Sequence, residues 1–441
     1  MNKEEIDFFD IERNDNFDIY NFLINLSFHI SETKNDIVKY SVLVHEYTHY
    51  LQSLGTVSGI IIVLDFFDFI VKIHQDLSFK IPNNIEFYTD FLTEYSKDYE
   101  KLKRRFNYNL TRDMSDTNIS DYSLKEEVFK HDFFYKEITE YFITLEGKEY
   151  HISYKCLRET MATMTMFLAR KFTKEDAIAY LERMDTEKKW YYKILFLYLA
   201  SNYPNIDDII LFTYYFTELS LQSSLPAENL GLLFTHLKTY SKEQSIDTLL
   251  FFNSFAKNNK QVFEIFPKIK NVINKKMKDY YSLSKNMELF SFFVKYLERS
   301  IKAFDILEKR PTYFPYFRDS LHFQKLISLI SSPVIIQTDS NDIRKVSTLD
   351  EQQDYSLALL FGMSLFLNSY IKNDFSPRTS KCIFIDEVPI CQLYKTASDP
   401  RICYHEPYKI KPFPTGNCLF YNANLVLAML EDEEIKKYKK N

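Results

Sequence analysis

Glycine is scarce, with only 6 among 441 residues. Few glycines mean few left-handed turns and few tight hairpins, which favours helices joined by polar loops over an all-β fold. Tryptophan occurs once, so 40 Phe and 33 Tyr must supply the large burial areas. The five cysteines include an odd member and no dense framework, which fits a reducing cytoplasm better than an oxidising compartment. A predominance of one charge sign is also missing. The net charge of -6 arises from acids and bases interspersed along the chain, without the basic stripe that phosphate binding needs. Nucleic acid is therefore not expected as the main partner, and the basic clusters Lys101–Arg105 and Lys275–Lys278 read as solvated helix faces.

Long hydrophobic runs are lacking as well. The most apolar run, Gly59 to Val71, is too short to span a membrane and contains Asp65 and Asp68. Those acids fall at i and i+3, the polar stripe of a buried helix. The first residues, Met1-Asn2-Lys3-Glu4-Glu5, carry acids where a secretory signal would have a basic start and an apolar core. Together these features predict a soluble cytoplasmic protein.

What is present is mainly helical pattern, with a small β-element. Residues 17–30 are rich in strand formers with partial alternation and read as a strand or strand pair. Ser31 to Asp36 offers several helix caps, and the helix that follows runs to about Leu54, with Gly55 as its stop. A second helix covers about 57–75, while 85–108 and 121–140 read as more polar helices or loops. Thr139–Leu145 and Glu149–Tyr154 flank Glu146-Gly147-Lys148 as a β-hairpin, which feeds an apolar helix from about Cys156 to Lys171. Helical patterns then recur through 175–184, 187–201, 206–223, 226–239, 242–257, 259–279, 283–307, 316–331 and 351–372. After Asn373, Pro377, Pro389, Pro400, Pro407, Pro412 and Pro414 forbid long helices, and an irregular module is expected. The predicted organisation is an N-terminal core over 1–172, a helical region over 173–372 and a Cys/Pro-rich C-terminal module over 373–441.

Chemistry concentrates in His45-Glu46-Tyr47-Thr48-His49. Residues four apart on an α-helix point the same way, so His45 and His49 can offer imidazole nitrogens to one ion. Zinc favours such ligands, and a catalytic site uses three protein donors with a fourth position open. Glu46 follows the first histidine and sits beside the metal, where its carboxylate can take a proton from water acidified by the ion. From Tyr40 to Leu54 it is the sole charged side chain apart from the titratable histidines. A carboxylate in such surroundings is costly to bury unless it is paired, hydrogen-bonded or near a metal.

The segment Val44-His45-Glu46-Tyr47-Thr48-His49-Tyr50-Leu51-Gln52 resembles the active-site helix of the zincin metallopeptidases. The resemblance implies Zn2+, His45 and His49 as ligands and Glu46 as general base, and it covers the motif rather than the whole chain. The metzincin branch is excluded, because Gln52 stands where its glycine belongs and Gly55 where its third histidine belongs. A third ligand must come from elsewhere, and Glu159 is the choice. It lies directly after the hairpin, on a helix without charge from Thr160 through Ala169, and its own face (Ala162, Thr163, Met166) is small near the acid. A second helix donating a glutamate resembles the gluzincin arrangement. The separation, 159 − 49 = 110 residues, implies a large insertion relative to the usual spacing. His151, His74 and His131 are rival donors, and Arg158 reads as a surface residue or the partner of an acid.

His405, Tyr404 and His151 are weak candidates for stabilising an oxyanion. Cys382, Cys391, Cys403 and Cys418 could hold a structural zinc, but without C-x-x-C pairs they read better as buried thiols. The sequence thus predicts a zinc metallopeptidase acting on a protein or peptide substrate. A zinc amidohydrolase acting on a small amide, or a non-catalytic helical scaffold with structural zinc, are the alternatives. The helical region after 173 is large enough to recognise a folded protein or a regulator.

Overall fold

The computed structural model describes residues 16–18, 23–80, 110–113, 121–131, 136–241, 243–284, 288–317, 319–331, 333–338 and 344–348. The chain begins with an antiparallel pair, β1 (Asn16–Asp18) and β2 (Leu23–Leu26), and a short 3-10 helix over Ile30–Lys34. Two helices follow, α1 (Ile37–Gly55) and α2 (Val57–Lys80). Next come β3 (Thr111–Asp113), β4 (Leu124–His131), β5 (Lys136–Leu145) and β6 (Lys148–His151), which leads into α3 (Tyr154–Arg170). The helical region comprises α4 (Lys174–Glu182), α5 (Thr186–Asn202), α6 (Ile209–Ser220), α7 (Pro226–Leu237), α8 (Thr248–Asn258), α9 (Ile265–Ser284), α10 (Glu288–Lys309) and α11 (Ser320–Ile330). It closes with β7 (Val334–Thr338) and β8 (Arg344–Thr348).

The fold is mainly helical, as the periodicity predicts, with small sheets beside the helices. One sheet has the order β3-β6-β5-β4 and is antiparallel throughout. Its β5–β6 hairpin turns through Glu146 and Gly147, both at positive φ, a conformation that glycine adopts without steric cost. The other sheet has the order β1-β2-β7-β8, with β2 and β7 parallel.

Two expectations need correction. Residues 121–140 are not polar helices or loops, because most of that stretch forms β4 and the start of β5. β4 lies at the sheet edge, where charged residues such as Lys125, Glu126, Glu127 and Lys130 guard an open ladder. Their low strand propensity hides a strand that distant pairing creates. The reading of 316–331 as the last feature before another helix also missed β7, whose pairing with β2 is set by residues some 300 positions away, and β8, which pairs with β7. The segments 85–108 and 351–372, the module over 373–441 and Cys382, Cys391, Cys403, Tyr404, His405 and Cys418 lie outside the described residues.

α1 runs through the centre. Every residue from Ser41 to Gly55 is buried, and the helix packs against α2, α3 and α10. Tyr47, Tyr50, Leu51 and Leu54 on it are at most 1% exposed, and each such side chain contributes roughly 1.5–3 kcal/mol of burial. Gly55 does not end α1 by a left-handed turn. The helix includes it, and the break falls at Thr56, whose extended backbone (φ -112, ψ 147) turns the chain by 74° into α2. On α2, Asp68 faces outward as the stripe predicts, accepting from Lys276 Nζ at 2.8 Å and Tyr280 Oη at 2.7 Å. Among the described residues no single helix is long and apolar enough to cross a membrane.

Candidate metal centre

Two helices build the site. α1 is started by Asp36, whose carboxylate accepts from the backbone N–H groups of Val38 and Lys39 at 2.9 and 3.1 Å. His45 and His49, one turn apart, leave the same face, and their ring centroids lie 4.9 Å apart with planes at 85°. The second helix is aimed by the hairpin. After β6 ends, the Ile152 N–H donates back to the Tyr141 carbonyl at 2.8 Å, and the Ser153 hydroxyl caps α3 by accepting from the Cys156 N–H at 3.1 Å. Glu159 therefore enters from the second turn of α3. The helices come close enough for the hydroxyls of Thr48 and Thr165 to meet at 2.9 Å, both fully buried.

Across that contact, Glu159 Oε2 lies 3.1 Å from His49 Nε2 and 3.7 Å from His45 Nε2. One ligand atom from each of the three residues falls within 4.8 Å of the others. Zinc bonds to nitrogen and oxygen of about 2.0–2.1 Å, set at tetrahedral angles, place ligand atoms about 3.3 Å apart. The two observed distances bracket that spacing, so the position of Glu159 suits an ion shared with the histidines, and the three donors form a group that could hold a metal.

Electrostatics agree with a cation site. Burial pushes the His49 imidazole below its ordinary value. Burial also works to raise the Glu159 carboxyl, but His49 and His45 hold it well below the usual carboxylate range. A neutral imidazole and an ionised carboxylate are the forms in which such residues bind metal.

The remaining predicted residues separate clearly. Glu46 follows His45 on α1 and is 6% exposed. His151 does not join the cluster, since its Nε2 sits 2.7 Å from Glu140 Oε2 within the hairpin sheet. His74 lies on α2 and His131 ends β4, and the side chains of both lie outside the described residues. Cys156 is fully buried and its thiol is pushed up to about 12 by burial, which makes it an inert core residue rather than a nucleophile.

Sequence reasoning missed the side chain that holds His49. Gln52 was weighed only as a departure from a metzincin glycine, yet its Oε1 lies 2.9 Å from His49 Nδ1 and its Nε2 donates to the Arg158 carbonyl at 2.9 Å. Its i+3 spacing from His49 was the available signal. Arg158, expected at the surface or on an acid, is instead half-buried, with Nε donating to Gln52 Oε1 at 3.2 Å and its guanidinium over the Tyr154 ring. A neighbouring ring is Tyr192 on α5, whose centroid lies 6.2 Å from that of His45. With 33 tyrosines in the chain, no local pattern marks it out.

Compared with protein-family models, curated proteins and solved structures, the chain matches none.

Proposed function

We propose that this protein is a zinc-dependent hydrolase, acting on peptide bonds. The observation that carries the reading is the convergence of His45, His49 and Glu159 from two helices onto one point, with Glu46 directly following the first donor. His45, His49 and Glu159 would hold Zn2+, which, when bound, supplies Lewis acidity toward a carbonyl and toward water. Among the described residues the set has three protein donors, the number that a catalytic zinc site uses.

The chain's own part follows from its carboxylates. Glu46, next to a donor but outside the donor set, takes the proton from the attacking water and returns it to the leaving amine. Glu159 balances charge and holds both imidazoles in place. The deep burial of α1 keeps the donors from moving apart between turnovers.

The test is a comparison of wild type with Glu46→Gln, first for bound metal and then for new protein N-termini in cells expressing each. Glu46→Gln keeps its metal and loses cleavage by roughly 10²–10⁴-fold, the usual worth of a general base. Unchanged cleavage removes the mechanism, and cleavage of small amides alone, with no new protein N-termini, moves the reading to an amidohydrolase.

A further inference from the structure

The side-chain amide of Gln52 is fully buried and its orientation is fixed twice over. Its Nε2 faces the backbone carbonyl of Arg158 at 2.9 Å, and a carbonyl can only accept. Its Oε1 faces Arg158 Nε at 3.2 Å, and a guanidinium can only donate. Exchanging the amide oxygen and nitrogen would break both contacts at once, so the atom facing His49 is the oxygen. That oxygen lies 2.9 Å from His49 Nδ1 and can only accept, so Nδ1 must carry the hydrogen.

In the neutral ring this leaves Nε2 bare. The bare nitrogen lies 3.1 Å from Glu159 Oε2, an acceptor facing an acceptor. Two lone pairs at that separation repel unless a proton, as in the imidazolium, or a metal ion lies between them. We infer that Gln52 is a positioning residue that locks His49 as the Nδ1–H tautomer, so that Nε2 is the nitrogen offered to the metal, with Arg158 clamping the amide in register. The inference rests on the proposed zinc centre and deepens it. It assigns to Gln52 the outer role in which a partner on the far ring nitrogen fixes tautomer and ring angle and raises ligand basicity. It also gives Arg158, beside a ligand on α3, a task that needs no acid.

The experiment uses the full chain in three forms: wild type, Gln52→Met and Gln52→Glu. Zinc affinity is measured by competition with a chromophoric chelator, and histidine tautomers are read from long-range nitrogen–proton NMR correlations on histidine-labelled protein. Wild type shows His49 as Nδ1–H. Gln52→Met weakens zinc binding by roughly 10–100-fold, the usual cost of losing such a partner. Gln52→Glu keeps an oxygen that accepts from His49 Nδ1 and Arg158 Nε but gives up the donation to the Arg158 carbonyl, and it recovers part of that loss, which a purely structural role would not produce. Three results overturn the inference while sparing the zinc reading: a wild-type His49 carrying its hydrogen on Nε2, a folded Gln52→Met that binds zinc as tightly as wild type, or a Gln52→Glu no better than Gln52→Met. Wild-type protein that binds no zinc removes the centre itself, and the inference with it.

Discussion

A β-carbon on Gly59 would lie 2.0 Å from the carbonyl oxygen of Gln52 and 2.8 Å from its carbonyl carbon. The first turn of α2 thus rides directly on the backbone of α1, at the corner where the helices bend by 74°. The same carbonyl accepts from the Thr56 N–H at 3.2 Å and the Thr56 hydroxyl at 2.6 Å. Neither the carbonyl nor the corner has room to yield. On helix propensity alone, Gly59→Ala would stabilise by about 1 kcal/mol. The close approach reverses that sign, and a net loss of about 1–3 kcal/mol is expected in urea unfolding, the usual cost of overpacking. A variant as stable as wild type would contradict the geometry described for this corner.

A second prediction concerns pH. Glu218 on α6 is wholly buried, and its Oε1 accepts from the Tyr214 hydroxyl at 3.0 Å and the Tyr313 N–H at 2.9 Å. Burial pushes its carboxyl up from the ordinary 4.5 to about 7. The native state therefore holds a proton that the unfolded chain releases. The stability linked to this group is complete below about pH 4.5 and is lost as pH rises through about 7. A shift of that size is worth on the order of 3 kcal/mol. Glu218→Gln keeps an accepting oxygen for both contacts and removes the titration. Its stability, measured by urea unfolding at pH 5 and pH 8, should exceed that of wild type by more at the higher pH. An unchanged difference between the two pH values would count against the assignment.

How much of this was legible in the sequence depends on where each element draws its stability. α1 and α3 could be read because their signals are local: the capping residues from Ser31 to Asp36 before α1, a charge-free run on each helix, and a single acid whose burial demands a reason. The pairing of Glu159 with His49 was also readable, since composition alone singles out few acids on apolar helices. β4 and β7 were not, because their stability comes from partners elsewhere in the chain while their own residues are charged or short. The hold of Gln52 on Arg158 is a contact across helices that no local pattern records. His151 looked like a rival ligand until the hairpin register set it beside Glu140.

The central claim is that His45, His49 and Glu159 share one divalent ion, and metal content measures it directly. Purified wild-type protein, His49→Ala and Glu159→Ala are compared by elemental mass spectrometry after dialysis against a weak chelator, with folding checked by circular dichroism. The account predicts one zinc per wild-type chain and almost none in either variant, since losing a ligand costs more than the roughly 10–100-fold attached to an outer partner. Folded Glu159→Ala that retains a full equivalent of zinc, or wild type that carries none after growth in zinc-replete medium, would contradict it.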